Sequence, residues 1–180
     1  SRGEYLESLG VSYDEDTVVF GIAARLNPVK DIATLIRGFA GACRKCPNIR
    51  LVIAGDGEER QMLESLEKET CPAGSVVFAG WVKDTDSFYH AIDVNMLTSL
   101  SETFPYALTE GARAGLPTVA SRVGGVPYLI EHGVHGLLFE AGDDVEALMT
   151  LCEADITSGI DAKVKRYLSN FELVRRKMKD

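Results

Sequence analysis

One run of six apolar residues decides the fold class: Val18-Val19-Phe20-Gly21-Ile22-Ala23. An apolar run of this length, without polar alternation, is typical of a strand buried on both faces, as strands of parallel sheets are. The segment 31–46 follows it, with apolar side chains at helical spacing and Pro47 at its end. A buried strand followed by an amphipathic helix is the repeating unit of α/β proteins.

The same alternation continues along the chain. Further strands are predicted at 50–54, 76–79, 94–97, 117–120 and 136–139, and further helices at 4–9, 58–69, 84–91, from Pro105 onward, at 126–131 and from 143 to the end. We therefore expect an α/β fold, a Rossmann-like doubly wound parallel sheet of about six strands with helices on both faces. A length of 180 residues suits one domain, predicted to span residues 1–180.

Composition and charge restrict the class of partner. Hydrophobic residues make up 46% of the chain and charged residues 26%, as in an ordinary soluble globular protein. The net charge of −8 argues against a nucleic-acid partner. No apolar run approaches the roughly 20 residues of a membrane span. Cys43 and Cys46 have no second pair or nearby histidine to complete a metal site, so we expect reduced thiols and a cytoplasmic location.

Two carboxylates flank a predicted helix start. Glu102 lies in the loop before the helix and Glu110 in its second turn, with Pro105 expected at the first helical position, where a missing N–H costs nothing. The free N–H groups at a helix N-terminus attract anions. A carboxylate on each side of an anion site suits a nucleotide-sugar, in which a diphosphate joins two diols. The alternative is an ordinary amphipathic helix with two solvated glutamates.

Two cations follow the first strand. Arg25 and Lys30 lie in the loop that leads to the helix over 31–46. A guanidinium grips phosphate bidentately and a lysine acts as a point charge, so together they suit a diphosphate. In parallel sheets ligands bind beyond the carboxyl ends of the strands, which is where this loop and Glu102 are both predicted. The alternative is two surface cations without a ligand.

Other motifs indicate turns and covering residues. Gly55-Asp56-Gly57 lacks the third glycine of a dinucleotide fingerprint and is interpreted as a strand-to-helix turn. The turn at Val123-Gly124-Gly125 is expected to reverse the chain. The three histidines have no spacing for a triad or a metal site, so we expect structural roles. Trp81 is expected to cover the edge of the sheet, and the alternative is that it packs beside a base.

The ordered set of these stretches resembles a known family. The matching stretches are Ala24–Leu26 with Lys30, then 35–39, 51–57, 77–82, 91–94, 101–110, 114–120, 123–127 and 132–138. Together they resemble the C-terminal, donor-binding half of retaining GT-B glycosyltransferases of family 4, the group 1 enzymes. The resemblance implies one half of a GT-B fold.

The resemblance also implies roles for individual residues. Arg25 and Lys30 would bind the donor diphosphate and stabilise it as it leaves, Glu102 would bind sugar hydroxyls, and Glu110 would bind the ribose diol. With Arg25, Lys30 and Glu102 as the catalytic residues, the implied donor-binding set is Arg25, Lys30, Val82, Asp84, Glu102, Thr103, Phe104, Pro105, Tyr106, Ala107 and Glu110. Backbone N–H groups near Phe104, Tyr106 and Ala107 would face the phosphate and sugar, and Val82 and Asp84 the base. The ligand would be a nucleoside-diphosphate sugar. Its sugar would be transferred with retention of the anomeric configuration, and no metal or other cofactor would be needed.

The sequence departs from the family pattern in two ways. Pro105 replaces a more usual glycine, which removes one backbone donor, and Gly111 and Arg113 interrupt a helix that is commonly rich in alanine. Such enzymes also have a preceding acceptor-binding domain of similar size. We therefore expect a fragment without that N-terminal domain, inactive alone, with any peripheral membrane contact made through the missing domain.

Two other functions stay open at this point. One is half of a GT-B sugar-nucleotide epimerase, and the other is a non-catalytic interaction module of the same fold. The base, the sugar and the acceptor are not specified by the sequence.

Overall fold

The computed structural model describes residues 1–143 together with 145 and 146. The predicted helix beyond 143 and Cys152 lie outside these residues, apart from the first helical position at Glu146. The elements, in chain order, are α1 (Arg2–Ser8), β1 (Val18–Ala23), a 3-10 turn (Pro28–Lys30), α2 (Ile32–Lys45), β2 (Ile49–Ala54), α3 (Arg60–Thr70), β3 (Val76–Gly80), α4 (Thr85–Ala91), β4 (Val94–Leu97), α5 (Tyr106–Arg113), β5 (Thr118–Ser121), α6 (Val126–Leu129) and β6 (Gly136–Phe139).

The six strands form one parallel sheet in the order β3-β2-β1-β4-β5-β6. β1 pairs with β2 along its whole length, from Val18 opposite Ile49 to Ala23 opposite Ala54. On its other side it pairs with β4, where the strand order reverses. The predicted doubly wound α/β fold is confirmed. Ligands of such sheets bind at this reversal point, beyond the carboxyl ends of the strands.

The core lies on both faces of the sheet because β1 and β2 bury alternate side chains in opposite directions. On one face Phe20 and Leu51 pack with α2 and α3, whose buried contacts include Phe39 and Leu63. On the other face residues such as Val19 pack with α1 and α4. Each fully buried side chain of this kind contributes about 1.5–3 kcal/mol relative to exposure.

The start of α5 differs by one residue from the prediction. Pro105 precedes the helix as its N-cap, with φ −81° and ψ 91°, and the first helical residue is Tyr106. The extended ψ keeps Pro105 out of the helix, while its carbonyl accepts the N–H of Leu108 at 3.0 Å. The N–H groups of Tyr106 and Ala107 therefore open the helix, without a partner inside it.

Gly111 is explained by a side chain on the strand beneath it. Asn95 of β4 is fully buried and donates its amide N–H to the carbonyl of Ala107 at 3.0 Å. A Cβ at Gly111 would collide with that same amide. The glycine that interrupts the expected helix pattern is therefore required by Asn95, because α5 could not otherwise approach β4 so closely.

We expect Gly111→Ala to lower the free energy of unfolding by about 1–3 kcal/mol, as overpacking does. Helix propensity alone favours alanine over glycine by about 1 kcal/mol, so the two effects have opposite signs. Urea unfolding followed by circular dichroism measures the difference, with the exposed Arg113→Ala on the same helix as control. In an Asn95→Ala background the cost of Gly111→Ala should disappear. Stabilisation by the single substitution would contradict the collision.

Candidate functional site

The loops after β1 and β4 meet at the carboxyl edge of the sheet. Phe20 and Gly21 of β1 lie opposite Val94 and Asn95 of β4, so the two strands deliver their loops side by side. Two hydrogen bonds then join the loops. The N–H of Leu100 donates to the carbonyl of Val29 at 2.8 Å, and the hydroxyl of Thr98 donates to the carbonyl of Lys30 at 2.9 Å.

Lys30 and Glu102, identified separately in the sequence, are direct partners in the structure. The Lys30 ammonium lies 2.6 Å from Oε1 of Glu102, and the Ser99 hydroxyl donates to the same oxygen at 2.6 Å. The exposed fraction of the side chain is 24% for Lys30 and 9% for Glu102. A charge pair this sheltered from water costs desolvation energy, which favourable geometry must offset.

Buried hydroxyl groups support the Glu102 loop, and sequence reasoning missed them. Thr98, Ser99 and Ser121 are fully buried at the carboxyl ends of β4 and β5. The hydroxyl of Ser121 donates to the carbonyl of Ser99 at 2.6 Å. The available signal was the placement of small polar residues directly after apolar strands, where a buried side chain needs a hydrogen-bond partner.

The turn at 123–125 does more than reverse the chain. Gly124 has φ +50°, and a Cβ there would collide with the carbonyl of Glu102. A Cβ at Gly125 would lie 2.8 Å from the carbonyl of Thr103. The two glycines therefore let the backbone after β5 pack directly against the backbone that carries Glu102.

The turn at 55–57 supports the loop of Arg25 in the same way. A Cβ at Gly55 would collide with the carbonyl of Ala24, and one at Gly57 with that of Leu26. The N–H of Leu26 donates to the carbonyl of Asp56 at 3.0 Å. This strand-to-helix turn, which the sequence predicted, therefore fixes the backbone on each side of Arg25.

Arg25 is the exposed cation of this edge. Ala24 and Leu26 on either side of it are held by backbone hydrogen bonds to the β2 end, at 3.0 Å each. Within residues 1–143, 145 and 146 its guanidinium has no ion-pair or hydrogen-bond partner. The structure therefore presents a free guanidinium on a fixed backbone, on the same loop as Lys30.

Glu110 lies near a buried tyrosine that sequence reasoning missed. Tyr89 of α4 is 2% exposed. Burial, and then the negative charge of Glu110, raise the pKa of Tyr89 well above its usual range. Its hydroxyl is buried and makes no well-formed hydrogen bond among the described residues. Tyr89 is therefore a neutral phenol close to Glu110.

The remaining predicted residues occupy the rim of this edge. Phe104 and Tyr106 are 50% and 73% exposed, with ring centroids 5.2 Å apart in an edge-to-face arrangement. Thr103 is exposed, whereas Pro105 is buried. Side chains that face solvent here are available to a ligand.

Trp81 and Asp84 both follow β3, and the structure gives each a defined environment. Trp81 is 76% exposed, so the expectation that it covers the edge of the sheet is wrong: the chain turns at Gly80, with φ +68°, and leaves the indole in solvent. Asp84 caps α4 by accepting the N–H of Ser87 at 3.0 Å and its hydroxyl at 2.6 Å. These hydrogen bonds hold the pKa of Asp84 below its usual range. Val82 is partly buried beside them.

His132 and His135 accept backbone hydrogen bonds, and Cys43 is buried. Nδ1 of His132 accepts the N–H of Leu138 at 2.9 Å, and Nδ1 of His135 accepts the N–H of Glu131 at 3.0 Å. Burial raises the pKa of the thiol of Cys43. Across the described part of the chain, no three His, Cys, Asp or Glu side chains are grouped as metal ligands. The described helices also include none with the length and apolar character needed to cross a membrane.

A cavity lies at the amino ends of the strands, opposite the candidate site. It has a volume of about 810 Å³ and is lined by Asp14, Glu15 and Asp16, together with Arg2 and Asp93. Arg2 is already committed to Asp93, with contacts of 2.6 and 2.8 Å. The excess of carboxylates disfavours an anionic ligand there, whereas the edge with Arg25 and Lys30 favours one.

Comparison with known sequences points to one family. A family model described as "Glycosyl transferases group 1" matches residues 10–158. The lipopolysaccharide core biosynthesis glycosyltransferase LpsE of Rhizobium meliloti is 35% identical over 114 residues, which are 63% of this chain and 32% of that protein. D-inositol 3-phosphate glycosyltransferase of Mycobacterium marinum is 32% identical over 152 residues, 81% of this chain and 31% of that protein. The chain thus spans about a third of the length of these relatives.

Solved structures share the fold. HepE of Anabaena, solved in complex with UDP-glucose, superposes with a TM-score of 0.75 at 25% identity, covering 99% of this chain and 52% of that one. The C-terminal domain of the group 1 glycosyl transferase LpcC of Francisella tularensis has a TM-score of 0.79 at 19% identity, covering 98% of this chain and 92% of that one. The second likeness concerns the fold alone.

The raised pKa of Tyr89 has a direct spectroscopic consequence. An ordinary tyrosine ionises near about pH 10. We expect Tyr89→Phe to leave the tyrosinate absorbance gained up to about pH 11 unchanged, because Tyr89 does not ionise there while the protein is folded. The control Tyr128→Phe, at a side chain 92% exposed, should remove one tyrosine's share. An equal loss in both variants would contradict the raised pKa.

The same shift affects stability. Because the folded pKa lies above the unfolded value, protonated Tyr89 stabilises the fold below about pH 10, and this contribution is lost as the pH rises. Tyr89→Phe should therefore lose less stability than the wild type at alkaline pH.

The packing of Gly124 against Glu102 is tested with a matched glycine. Gly124→Ala and Gly133→Ala both place alanine at positive φ, but a Cβ at Gly133 meets nothing within 4 Å. We expect Gly124→Ala to lower the free energy of unfolding by about 1–3 kcal/mol more than Gly133→Ala, because it adds a collision to the same backbone strain. Urea unfolding measures the difference, and amide shifts of Glu102 and Thr103 report the displacement. Equal losses would show that the contact with Glu102 is unimportant.

Proposed function

The chain belongs to the group 1 glycosyl transferases, and we propose that it is the donor-binding domain of a retaining enzyme that moves a sugar from a nucleoside-diphosphate sugar to an acceptor. The observation that carries this proposal is the 2.6 Å contact of Lys30 with Glu102, which lies in the loop leading to α5, where the strand order reverses. That edge combines a cation suited to phosphate, a helix N-terminus and a carboxylate suited to sugar hydroxyls.

The leaving group determines what the cations do. When the bond between the anomeric carbon and the diphosphate oxygen breaks, negative charge develops on the diphosphate. Arg25, Lys30 and the N–H groups of Tyr106 and Ala107 would stabilise that charge, and prearranged donors of this kind are the largest source of catalysis in many enzymes. Arg25 is suited to this role because its guanidinium is exposed on a fixed backbone.

The carboxylates would bind the two diols of the donor. Glu102 would accept hydrogen bonds from sugar hydroxyls, with Thr103 and Phe104 beside it. Glu110, near the neutral phenol of Tyr89, would accept the hydroxyls of the ribose. The base would lie near Val82 and Asp84, where Asp84 contributes backbone because its side chain caps α4.

The proposed protein is larger than this chain. Residues 1–180 would form one domain, and an acceptor-binding domain of similar size would precede it. The coverage of 52% of HepE supports this proposal. The reaction would need no metal for donor binding, and the enzyme would be cytoplasmic, with any peripheral membrane contact made by the other domain.

An epimerase half would use the same donor site, and product analysis with the full-length protein separates the two reactions: an epimerised nucleotide-sugar indicates the epimerase and a glycosylated acceptor the transferase. A non-catalytic module is the less favoured alternative. It has no physical need for a sheltered Lys30–Glu102 pair beside a free Arg25.

Calorimetric titration of the chain with UDP, UDP-glucose, UDP-N-acetylglucosamine and GDP-mannose tests the proposal. We expect saturable binding, weakened about tenfold or more by Glu110→Ala and by Arg25→Ala/Lys30→Ala, because each removes charged hydrogen bonds to the ligand. The double variant Arg37→Ala/Arg44→Ala, at two exposed cations of α2, is the charge-matched control. Circular dichroism verifies that each variant is folded. No heat with any of the four at millimolar concentration, or an equal loss in the control, would overturn the proposal.

A further inference from the structure

We infer that Ser99 is a positioning residue for the sugar-binding carboxylate of Glu102, an inference that rests on the proposed function. Its hydroxyl donates to Oε1 of Glu102 at 2.6 Å, the same oxygen that Lys30 contacts. A hydroxyl-to-carboxylate bond of this length is a strong, charge-assisted one. Ser99 itself is fully buried and therefore acts through Glu102.

The two bonds to Oε1 determine which oxygen serves a ligand. Within the described residues, Oε2 of Glu102 accepts no hydrogen bond. With Oε1 occupied by Lys30 and Ser99, Oε2 is the oxygen left to accept a sugar hydroxyl. Rotation of the carboxylate would break both bonds, so the pair fixes the direction of Oε2.

The hydrogen bond from Ser99 to Glu102 is the one that persists when the donor binds. The diphosphate is a stronger attraction for the Lys30 ammonium than a single carboxylate, and the flexible lysine stem allows it to turn. Ser99 has a single side-chain torsion before its hydroxyl and loses little rotamer freedom by holding Glu102. Because its hydroxyl is uncharged, the negative charge of the phosphate does not draw it away from Glu102.

Ser99 is itself held at an unusually fixed point of the backbone. Its carbonyl accepts the hydroxyl of Ser121 at 2.6 Å. The residues on either side of it are bound to the β1 loop, Thr98 to the carbonyl of Lys30 and Leu100 to the carbonyl of Val29. The orientation of Glu102 is therefore tied to the ends of β1, β4 and β5 through one serine.

The test compares the affinity for UDP-glucose with that for UDP, because Glu102 would contact only the sugar. We expect Ser99→Ala to lower the affinity for UDP-glucose about fivefold to twentyfold, as loss of one charged hydrogen bond does, and to leave that for UDP within about twofold. Ser101→Ala, at an exposed serine two residues away, should change neither. Ser99→Cys keeps the shape with a weak donor and should show the same selective loss if the alanine variant fails to fold.

A double-variant cycle separates positioning from a structural role. In a Glu102→Ala background, Ser99→Ala should have no further effect on the preference for UDP-glucose over UDP. If Glu102→Ala removes the preference but neither Ser99 variant lowers it, the inference is overturned and the proposed function stands. If UDP and UDP-glucose are lost equally in the Ser99 variants, the role is structural and the inference is also overturned. If Glu102→Ala leaves the preference intact, the proposed role of Glu102 fails, and the inference with it.

Discussion

The parallel pairing of β1 with β4 is the constraint on which the rest of the structure depends. It is the point at which the strand order reverses, so the loops that leave these two strands have neighbouring starting positions. Their joining hydrogen bonds, from Leu100 to Val29 and from Thr98 to Lys30, are consequences of that proximity. The Lys30–Glu102 contact between residues 72 positions apart follows from the same pairing. Without it, the cation and the carboxylate would have no reason to meet.

β2 and β5, which flank β1 and β4 in the sheet, are followed by turns that pack against these loops. The turn after β2 packs on the backbone beside Arg25, and the turn after β5 packs on the backbone beside Glu102. Both contacts join backbone to backbone, which requires glycine because a Cβ would occupy the space. The candidate site is therefore built by four consecutive strands of the sheet, β2-β1-β4-β5, although only the inner two carry the charged groups.

Much of the fold was predictable, because burial on two faces leaves a direct record in the sequence. The apolar run at 18–23 has the bounds of β1 as observed. Pro105 was misplaced by one residue because proline fits both the first helical position and the N-cap. The reason for Gly111 was not predictable because its partner Asn95 is distant in sequence. The family was also recognisable, and the sequence pattern alone identifies Lys30, Glu102, Arg25 and Glu110 as candidate site residues. Ser99, Ser121 and Tyr89 were not predictable. A buried hydroxyl leaves no periodic pattern in the sequence, and its role depends on the group that it contacts in the fold.

Lys30 and Glu102 form a sheltered ion pair, so these two charges of the candidate site neutralise each other within the protein. Each of these two charges has a partner within the protein, whereas Arg25 has none among the described residues. A nucleotide-sugar would have to replace the Lys30–Glu102 contact with stronger contacts of its own. Its affinity would therefore reflect the difference between the new contacts and the lost one. Weak binding of a nucleotide-sugar would therefore agree with the proposed donor site.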